Sequence, residues 1–318
     1  MRLLVTGGAG RLGVDTCRAL QKAGYQVKVF DLPTPRNRKS AGEIGRGAEV
    51  FWGDITDGAA VGKALDGVDA IVHMAGILPP VSEANPELAA MVNVGGTGTL
   101  VNAIVASGRR IPLVFTSSVA VFGPTPLATE PVSVERNAPN PKDVYGQTKQ
   151  RAEELIRQSG IDCVILRLSA SVYTSFEMND IPRLYGIPLE TRMEFCHPEE
   201  ACRALVNAVV NFEAAKGETL IISGGPKGRM LYRDMVRGIL GIMRLPVPPD
   251  RKFTRQPYYL DFYDTSKSQQ LLRYQHKTFS DYLGDCRGTL ARRFTPAFVP
   301  FMCYFVGPIF GRMIARLM

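Results

Sequence analysis

Thr6-Gly7-Gly8-Ala9-Gly10-Arg11-Leu12-Gly13 is the stretch on which the fold of this chain turns. It follows an apolar run of strand character, Arg2-Leu3-Leu4-Val5-Thr6, and leads into a helical pattern from Leu12 to Ala23. Strand, glycine turn and helix come in the order a phosphate cradle needs. Glycines permit the tight turn and a close backbone approach to a pyrophosphate, while the helix N-terminus supplies N–H groups and a partial positive charge. Gly7, Gly10, Arg11, Leu12 and Gly13 are therefore the expected cofactor-facing residues. A second strand, Tyr25 to Phe30, ends on Asp31, 18 residues after Gly13 and about where a dinucleotide-binding unit places the acid that grips the adenosine ribose diol. Asp31 argues for NAD, because it would repel a 2'-phosphate; Arg11, Arg36, Arg38 and Lys39 keep NADP as the alternative.

Working outward, residues 33 to 47 read as a polar, glycine-rich loop, and Ala48 to Trp52 as a third strand closing on Gly53-Asp54-Ile55-Thr56-Asp57. Helix Ala59 to Leu65, strand Ala70 to Met74, helix Pro86 to Ser107, strand Pro112 to Thr116, a helix carrying Tyr145 and strand Cys163 to Leu168 then alternate. That alternation predicts an α/β fold, a Rossmann-like doubly wound parallel sheet with helices on both faces. Gly7, Asp31, Asp54, Ala75, Ser118 and the loop after Leu168 all fall at carboxyl ends of strands, so one crevice can collect them. Past residue 169 the alternation breaks down. Residues 174 to 196 look irregular, followed by helix His197 to Phe212, strand Thr219 to Ser223 and helices Leu231 to Met243 and Phe279 to Ala291. The apolar side of helix 197 to 212 must find a partner. The expected division is a dinucleotide-binding part at 1–168, a smaller substrate-binding part at 169–293 and a tail at 294–318.

The 318 residues suffice for one large α/β domain, or for one and a smaller companion. The net charge of +8 is spread along the chain without a basic run interleaved with aromatics, which gives nucleic-acid binding little to rest on. Six cysteines show no CxxC pair and sit mostly in apolar segments, as buried thiols of a reducing compartment do. The three histidines, His73, His197 and His276, lack ligand-like spacing, so no metal is expected. A strand starting at residue 2 leaves no room for a cleavable signal peptide, and the expected location is cytoplasmic.

Tyr145-Gly146-Gln147-Thr148-Lys149 places a phenol and an ammonium four residues apart, on one face of a helix. A fixed cation near a phenol favours the tyrosinate, which makes a proton shuttle conceivable near neutral pH. Tyr263 and Lys267 repeat the spacing, but after an aromatic stretch and beside the helix Ser266 to Leu272, where Tyr263 is expected to pack.

Together, the glycine turn, Gly53-Asp54-Ile55-Thr56-Asp57, His73-Met74-Ala75-Gly76, Asn93-Val94-Gly95-Gly96-Thr97, Phe115 to Gly123, Tyr145 with Lys149, and Leu166-Arg167-Leu168 resemble the extended short-chain dehydrogenase/reductases. That family includes nucleotide-sugar epimerases and dehydratases. The resemblance implies that Asp54 with Ile55 hold the adenine and that Ala75 with Gly76 line the path beside the nicotinamide ribose. It further implies that Ser118 bonds the reacting oxygen, Tyr145 exchanges its proton, and Lys149 holds ribose hydroxyls while tuning Tyr145. Asn93 is either a cofactor contact or a polar cap within its helix. A sugar or sugar-derived alcohol is the expected small-molecule substrate.

Two departures from the pattern qualify that substrate. Ser171 stands where the family has an Asn, and the segment up to His197 is short where nucleotide-sugar enzymes hold the nucleotide, so a smaller or more lipophilic, sterol-like alcohol is the alternative. The tail Ala297 to Phe310 is apolar and broken by Pro300 and Pro308, with arginines on both sides. It is shorter than the roughly 20 residues of a spanning helix and suits either a peripheral membrane contact or packing against its own domain or a second subunit, as in a homodimer. A non-catalytic dinucleotide-binding assembly subunit is the reading from another class.

Overall fold

The computed structural model describes residues 1–45, 47–125, 130–170, 185–242 and 246–293. The amino-terminal elements are β1 (Arg2–Thr6), α1 (Arg11–Lys22), β2 (Gln26–Asp31), α2 (Pro35–Ile44), β3 (Ala48–Trp52), α3 (Gly58–Ala64), β4 (Ala70–His73) and the short α4 (Val81–Ala84). They continue as α5 (Pro86–Ala106), β5 (Leu113–Ser118), α6 (Val144–Gln158) and β6 (Cys163–Leu168). The rest comprises β7 (Arg192–Glu194), α7 (Pro198–Val210), α8 (Phe212–Ala215), β8 (Thr219–Ile222), β9 (Arg229–Leu231), α9 (Tyr232–Ile242), α10 (Ser266–Leu272) and α11 (Phe279–Arg293).

Seven strands form one parallel sheet in the order β3-β2-β1-β4-β5-β6-β8. Period two sorts the strand residues between its faces. From β1, Leu3 and Val5 join one core with Val14, Cys17 and Leu20 of α1 and Ala201 and Leu205 of α7. Leu4 joins the other, with Val61 of α3, Leu100 and Ile104 of α5 and Ala152 and Ile156 of α6. The apolar side of α7 thus finds its partner in α1. Each such leucine or isoleucine contributes about 1.5–3 kcal/mol by leaving water. Helix α5 is long and apolar enough to cross a membrane by composition, yet its Leu100, Val101 and Ile104 are buried against the sheet.

Two expectations change. Residues 35 to 44 are a helix and not a loop. Thr34 caps it by accepting the Asn37 N–H at 3.1 Å, Pro35 occupies the first turn, and Ala41 and Ile44 are buried beneath. Nor is 174–196 irregular throughout, because β7 pairs antiparallel with β9. The sheet runs past residue 168: β8, from the second half, pairs parallel with β6 from Ile165↔Thr219 to Leu168↔Ile222. A third core, around Val121, Phe122, Phe195, Tyr232, Val236 and Tyr282, joins the second half to the segment after β5. Ser171 and the tail lie outside the described residues.

Candidate active site

The order of strands reverses between β1 and β4, and the first turn after β1 sits in that gap. Gly7 takes φ +70°, and a Cβ there would lie 2.7 Å from the Ala75 amide nitrogen, so the two turns touch through backbone. A Cβ on Gly13 would fall 2.3 Å from the Gly7 carbonyl oxygen. Only glycine allows the helix to start so close to the strand. Gly10 precedes α1 without a side-chain cap, and no acid occupies the first turn. The positive end of the helix therefore faces the turn unneutralised by side chains.

Asp31 closes this cradle. Its Oδ2 accepts the Ala9 N–H at 2.9 Å, and its Oδ1 accepts Leu32 N–H at 2.8 Å and Asn37 Nδ2 at 2.9 Å. Burial pushes its pKa up, with the Ala9 and Leu32 amides pulling it back. A carboxylate offers about four acceptor positions, so Oδ2 keeps one for a diol. Arg38 is engaged elsewhere, over the Trp52 ring at 5.1 Å and donating to the Pro33 carbonyl at 3.3 Å. Asp54, at the end of β3, is exposed and folds back on Thr56, whose N–H and Oγ1 donate to its Oδ1 at 2.9 and 2.8 Å. Ile55 is buried against Gly96. An anion-accepting turn, a diol-accepting acid and a bare backbone path along Ala75 and Gly76 fit NAD.

Asn93 stands in a π-helical turn, Ala90–Gly96, within α5. Its Oδ1 accepts the Ile77 N–H at 2.6 Å, and its Nδ2 donates to the Ile77 carbonyl and to Thr148 Oγ1, each at 3.0 Å. The amide is used in holding the 75–77 turn against α6. Behind it, His73 accepts or donates to Thr6 Oγ1 at Nδ1 (2.6 Å) and to Thr97 Oγ1 at Nε2 (3.0 Å). Since Thr97 donates to the Asn93 carbonyl, at 2.6 Å, its oxygen is left to accept. That assigns the proton to Nε2. Burial, with Lys149 adding to it, lowers the His73 pKa to about 3.

Helix α6 brings the catalytic candidates to the carboxyl end of β5. Asp143 caps it, accepting the Gly146 N–H at 2.6 Å, and Glu83 reaches across from α4 to accept Val144 N–H and Tyr145 N–H, each at 3.0 Å. One stripe of α6, Tyr145, Lys149, Ala152, Glu153 and Ile156, is buried. The Tyr145 phenol hydrogen-bonds Ser118, whose Oγ also accepts the Ala120 N–H at 3.1 Å. Lys149 Nζ donates to the Thr116 carbonyl at 2.8 Å and lies 4.9 Å from the Phe115 ring centroid and 5.9 Å from that of Tyr145. A Cβ on Gly76 would be 3.5 Å from that ammonium. Ser118, Tyr145, Lys149 and Gly76 are therefore gathered at one place.

The electrostatics reverse one expectation. Burial raises the Tyr145 phenol above its ordinary 10.0, the Ser118 bond lowering and Asp143 further raising it. Lys149 is itself lowered to about 8 by burial, Glu153 opposing. The ammonium faces the Thr116 carbonyl and the ring faces rather than stabilising a phenolate, and a desolvated phenol stays neutral. Glu153 was not anticipated. Its Oε1 accepts from Ser117 Oγ (2.5 Å) and Arg167 Nε (2.9 Å), its Oε2 from Arg167 (2.7 Å) and Arg157 (2.8 Å). Burial opposes its charge, but Arg167, Ser117 and Arg157 together hold its pKa below the usual value. Its place four residues after Lys149 was the available signal; Glu83 left none. Tyr263 is buried and donates to the Tyr259 carbonyl at 3.1 Å, while Lys267 pairs with Glu218 at 2.5 Å, so that second spacing makes no site.

The sequence profile of the NAD dependent epimerase/dehydratase family matches residues 3–223. The chain belongs to that family. It is 27% identical over 241 residues to D-erythronate dehydrogenase of Cupriavidus necator, covering 66% of this chain and 72% of that protein. It is 33% identical over 171 residues to 3 beta-hydroxysteroid dehydrogenase/Delta 5-->4-isomerase of Mycobacterium tuberculosis, covering 51% of this chain and 44% of that one. For several curated relatives it matches, the chain spans only about half of their length or less. UDP-glucuronic acid 4-epimerase of Bacillus cereus, solved with UDP-glucuronic acid and NAD, shares the fold with a TM-score of 0.77 at 22% identity, over 92% of this chain and all of that one. The family is NAD-dependent, in keeping with the cradle at Gly7 to Gly13 and Asp31.

Proposed function

We propose that this chain is an NAD-dependent oxidoreductase acting on a secondary alcohol or ketone of a sugar or sugar-derived molecule. The observation that carries the reading is the meeting of Ser118, Tyr145 and Lys149 beside Gly76 at the end of β5. NAD, when bound, supplies the hydride acceptor or donor. Gly7, Gly10, Arg11, Leu12, Gly13 and Asp31 hold its phosphates and adenosine ribose, and Lys149 its other ribose. Ser118 orients the substrate oxygen. Tyr145 passes its phenolic proton to that oxygen in reduction and takes it back in oxidation. Because burial keeps the phenol protonated, alcohol oxidation accelerates as pH rises. The erythronate relative, which aligns with 66% of this chain against 51% for the steroid dehydrogenase relative, favours a small polyhydroxylated substrate.

The steroid dehydrogenase relative favours a second reading, a lipophilic 3-hydroxy substrate. One panel separates the two: NADH absorbance at alkaline pH with D-erythronate, myo-inositol, trans-cyclohexane-1,2-diol, cyclohexanol and a 3-hydroxysteroid, alongside interconversion of UDP-glucose. Turnover confined to the polyols supports the first reading and turnover of the steroid alone supports the second. NAD binding without turnover of any member would leave a non-catalytic dinucleotide-binding assembly subunit.

A further inference from the structure

Asn37 stands in the first turn of α2, and its side chain reaches back to the end of β2. Its Nδ2 donates to Asp31 Oδ1 at 2.9 Å and to the Leu32 carbonyl at 3.0 Å. Both partners are acceptors, so both hydrogens of the amide are engaged there and the nitrogen end is fixed. With the Leu32 N–H at 2.8 Å that fills Oδ1, while Oδ2 takes the Ala9 N–H at 2.9 Å. The carboxylate is thus held by three donors, with an acceptor position of Oδ2 to spare. Its surroundings favour an anion. Arg36 and Lys39 are exposed on α2 on either side of Asn37, and Arg38 lies over the ring of Trp52, the register partner of Asp31, at 5.1 Å. Three cations within two residues of Asn37 would attract a 2'-phosphate, and a carboxylate opposes them only while it stays where the ribose would lie.

We propose that Asn37 is a positioning residue for dinucleotide selectivity: by clamping Asp31 it keeps a carboxylate against the adenosine 2'-position, so that NAD is taken and NADP refused despite the surrounding cations. This rests on the oxidoreductase reading and deepens it, since it assigns the preference for NAD to a pair of side chains rather than to the acid alone. Without the amide, Asp31 keeps two of its three donors and is free to turn about its own side-chain bonds. The repulsion of a 2'-phosphate then weakens while Arg36 and Lys39 remain. The effect is a change in the ratio of two affinities, not in the soundness of the fold.

The test is titration calorimetry of the full chain with NAD and with NADP, which needs no substrate. Asn37→Ala is expected to reduce the NAD-over-NADP affinity ratio by about 3- to 30-fold, less than the whole of a bond to a charged group because the Ala9 and Leu32 amides remain. NAD should weaken, and NADP should hold or tighten. In an Asp31→Ala background the same substitution should leave the ratio unmoved, since the clamp then has nothing to hold. Thr34→Ala, which removes the α2 cap at 3.1 Å but keeps the clamp, should lower Tm and leave the ratio at the parent's value. The proposal is overturned by a parent that prefers NADP, by an Asn37→Ala ratio equal to the parent's, by an equal fall in Thr34→Ala, or by a second fall in the Asp31→Ala background. Each of these leaves the oxidoreductase reading standing. Binding of neither dinucleotide by the parent removes that reading and the proposal together.

Discussion

Lys149 is the side chain whose burial can be weighed most directly. It is 3% exposed, and its pKa falls from 10.5 to about 8 because desolvation penalises the ammonium more than Glu153 restores it. A displacement of 2.5 pH units, at about 1.36 kcal/mol each, means that keeping the charge costs the folded state about 3 kcal/mol. A base with a depressed folded pKa binds fewer protons folded than unfolded between those two values, so stability rises with pH across that window. The cost is complete below about pH 8 and gone above about 10.5. Lys149→Met keeps the bulk and removes the charge, but it forfeits the donation to the Thr116 carbonyl at 2.8 Å, which returns about 1–2 kcal/mol. The variant should therefore be more stable than the parent by about 1–2 kcal/mol at pH 7, with the gap closing or reversing near pH 10. Urea unfolding of the dinucleotide-free proteins at pH 7, 8.5 and 10 measures it. A variant that is less stable at pH 7, by an amount that does not move with pH, would show the ammonium to be favourable where it sits and refute the reasoning. Added NAD should raise the unfolding midpoint of the parent more than that of the variant, since Lys149 is proposed to hold a ribose.

Tyr145→Phe should cost about 10²- to 10⁴-fold in kcat while leaving NAD affinity, by titration calorimetry, near that of the parent; release of the dinucleotide would place the phenol in binding instead. Gly13→Ala puts a carbon at 2.3 Å from the Gly7 carbonyl, so NAD binding and Tm should both fall, whereas Gly24→Ala, open on all sides but at φ +89°, should lower Tm alone. His73, lowered to about 3 by burial, withholds a proton that the unfolded chain accepts below about 6.5, so stability is lost as pH falls through that range. Urea titrations from pH 7 to 4 should show a slope shallower by up to about 1.36 kcal/mol per pH unit in His73→Gln.

The glycine turn, Asp31 and the pairing of Tyr145 with Lys149 were legible because each depends on near-neighbour spacing, strand then helix or two residues on one helix face, whereas Ser118, on another element, was expected only from the family resemblance. Helix α2 hides behind its polar composition, although Thr34 and Pro35 carry its start signal, with Thr34 accepting the Asn37 N–H. Glu83, 62 residues before Tyr145, caps α6 through a contact that only the folded chain creates. The segment Tyr258 to Phe262 was visible as an aromatic run, but the stacking of Tyr258 on Tyr259 belongs to a segment held in place by bonds to Val132 and Tyr263 that only the folded chain creates. The role of Asn93 was open between cap and cofactor contact, and the three bonds of its amide place it behind the 75–77 turn.

The polar stripe of α6 has an internal logic that these separate features share. Arg167 fixes Glu153 as a carboxylate in a buried place, at 2.7 and 2.9 Å, and Glu153 in turn supports the charge on Lys149 one helical turn away. An apolar residue at 153 would remove that support and drive Lys149 further toward the neutral amine, and it would strand Arg167, whose Nη1 is already buried without a partner. Breaking such a pair from one side typically costs about 3–5 kcal/mol. The stripe thus keeps an ammonium and a neutral phenol side by side under the sheet's carboxyl edge. At neutral pH that combination is poised to give a proton to a carbonyl rather than to take one from an alcohol, so in the proposed reaction reduction should need no alkaline activation, while oxidation should.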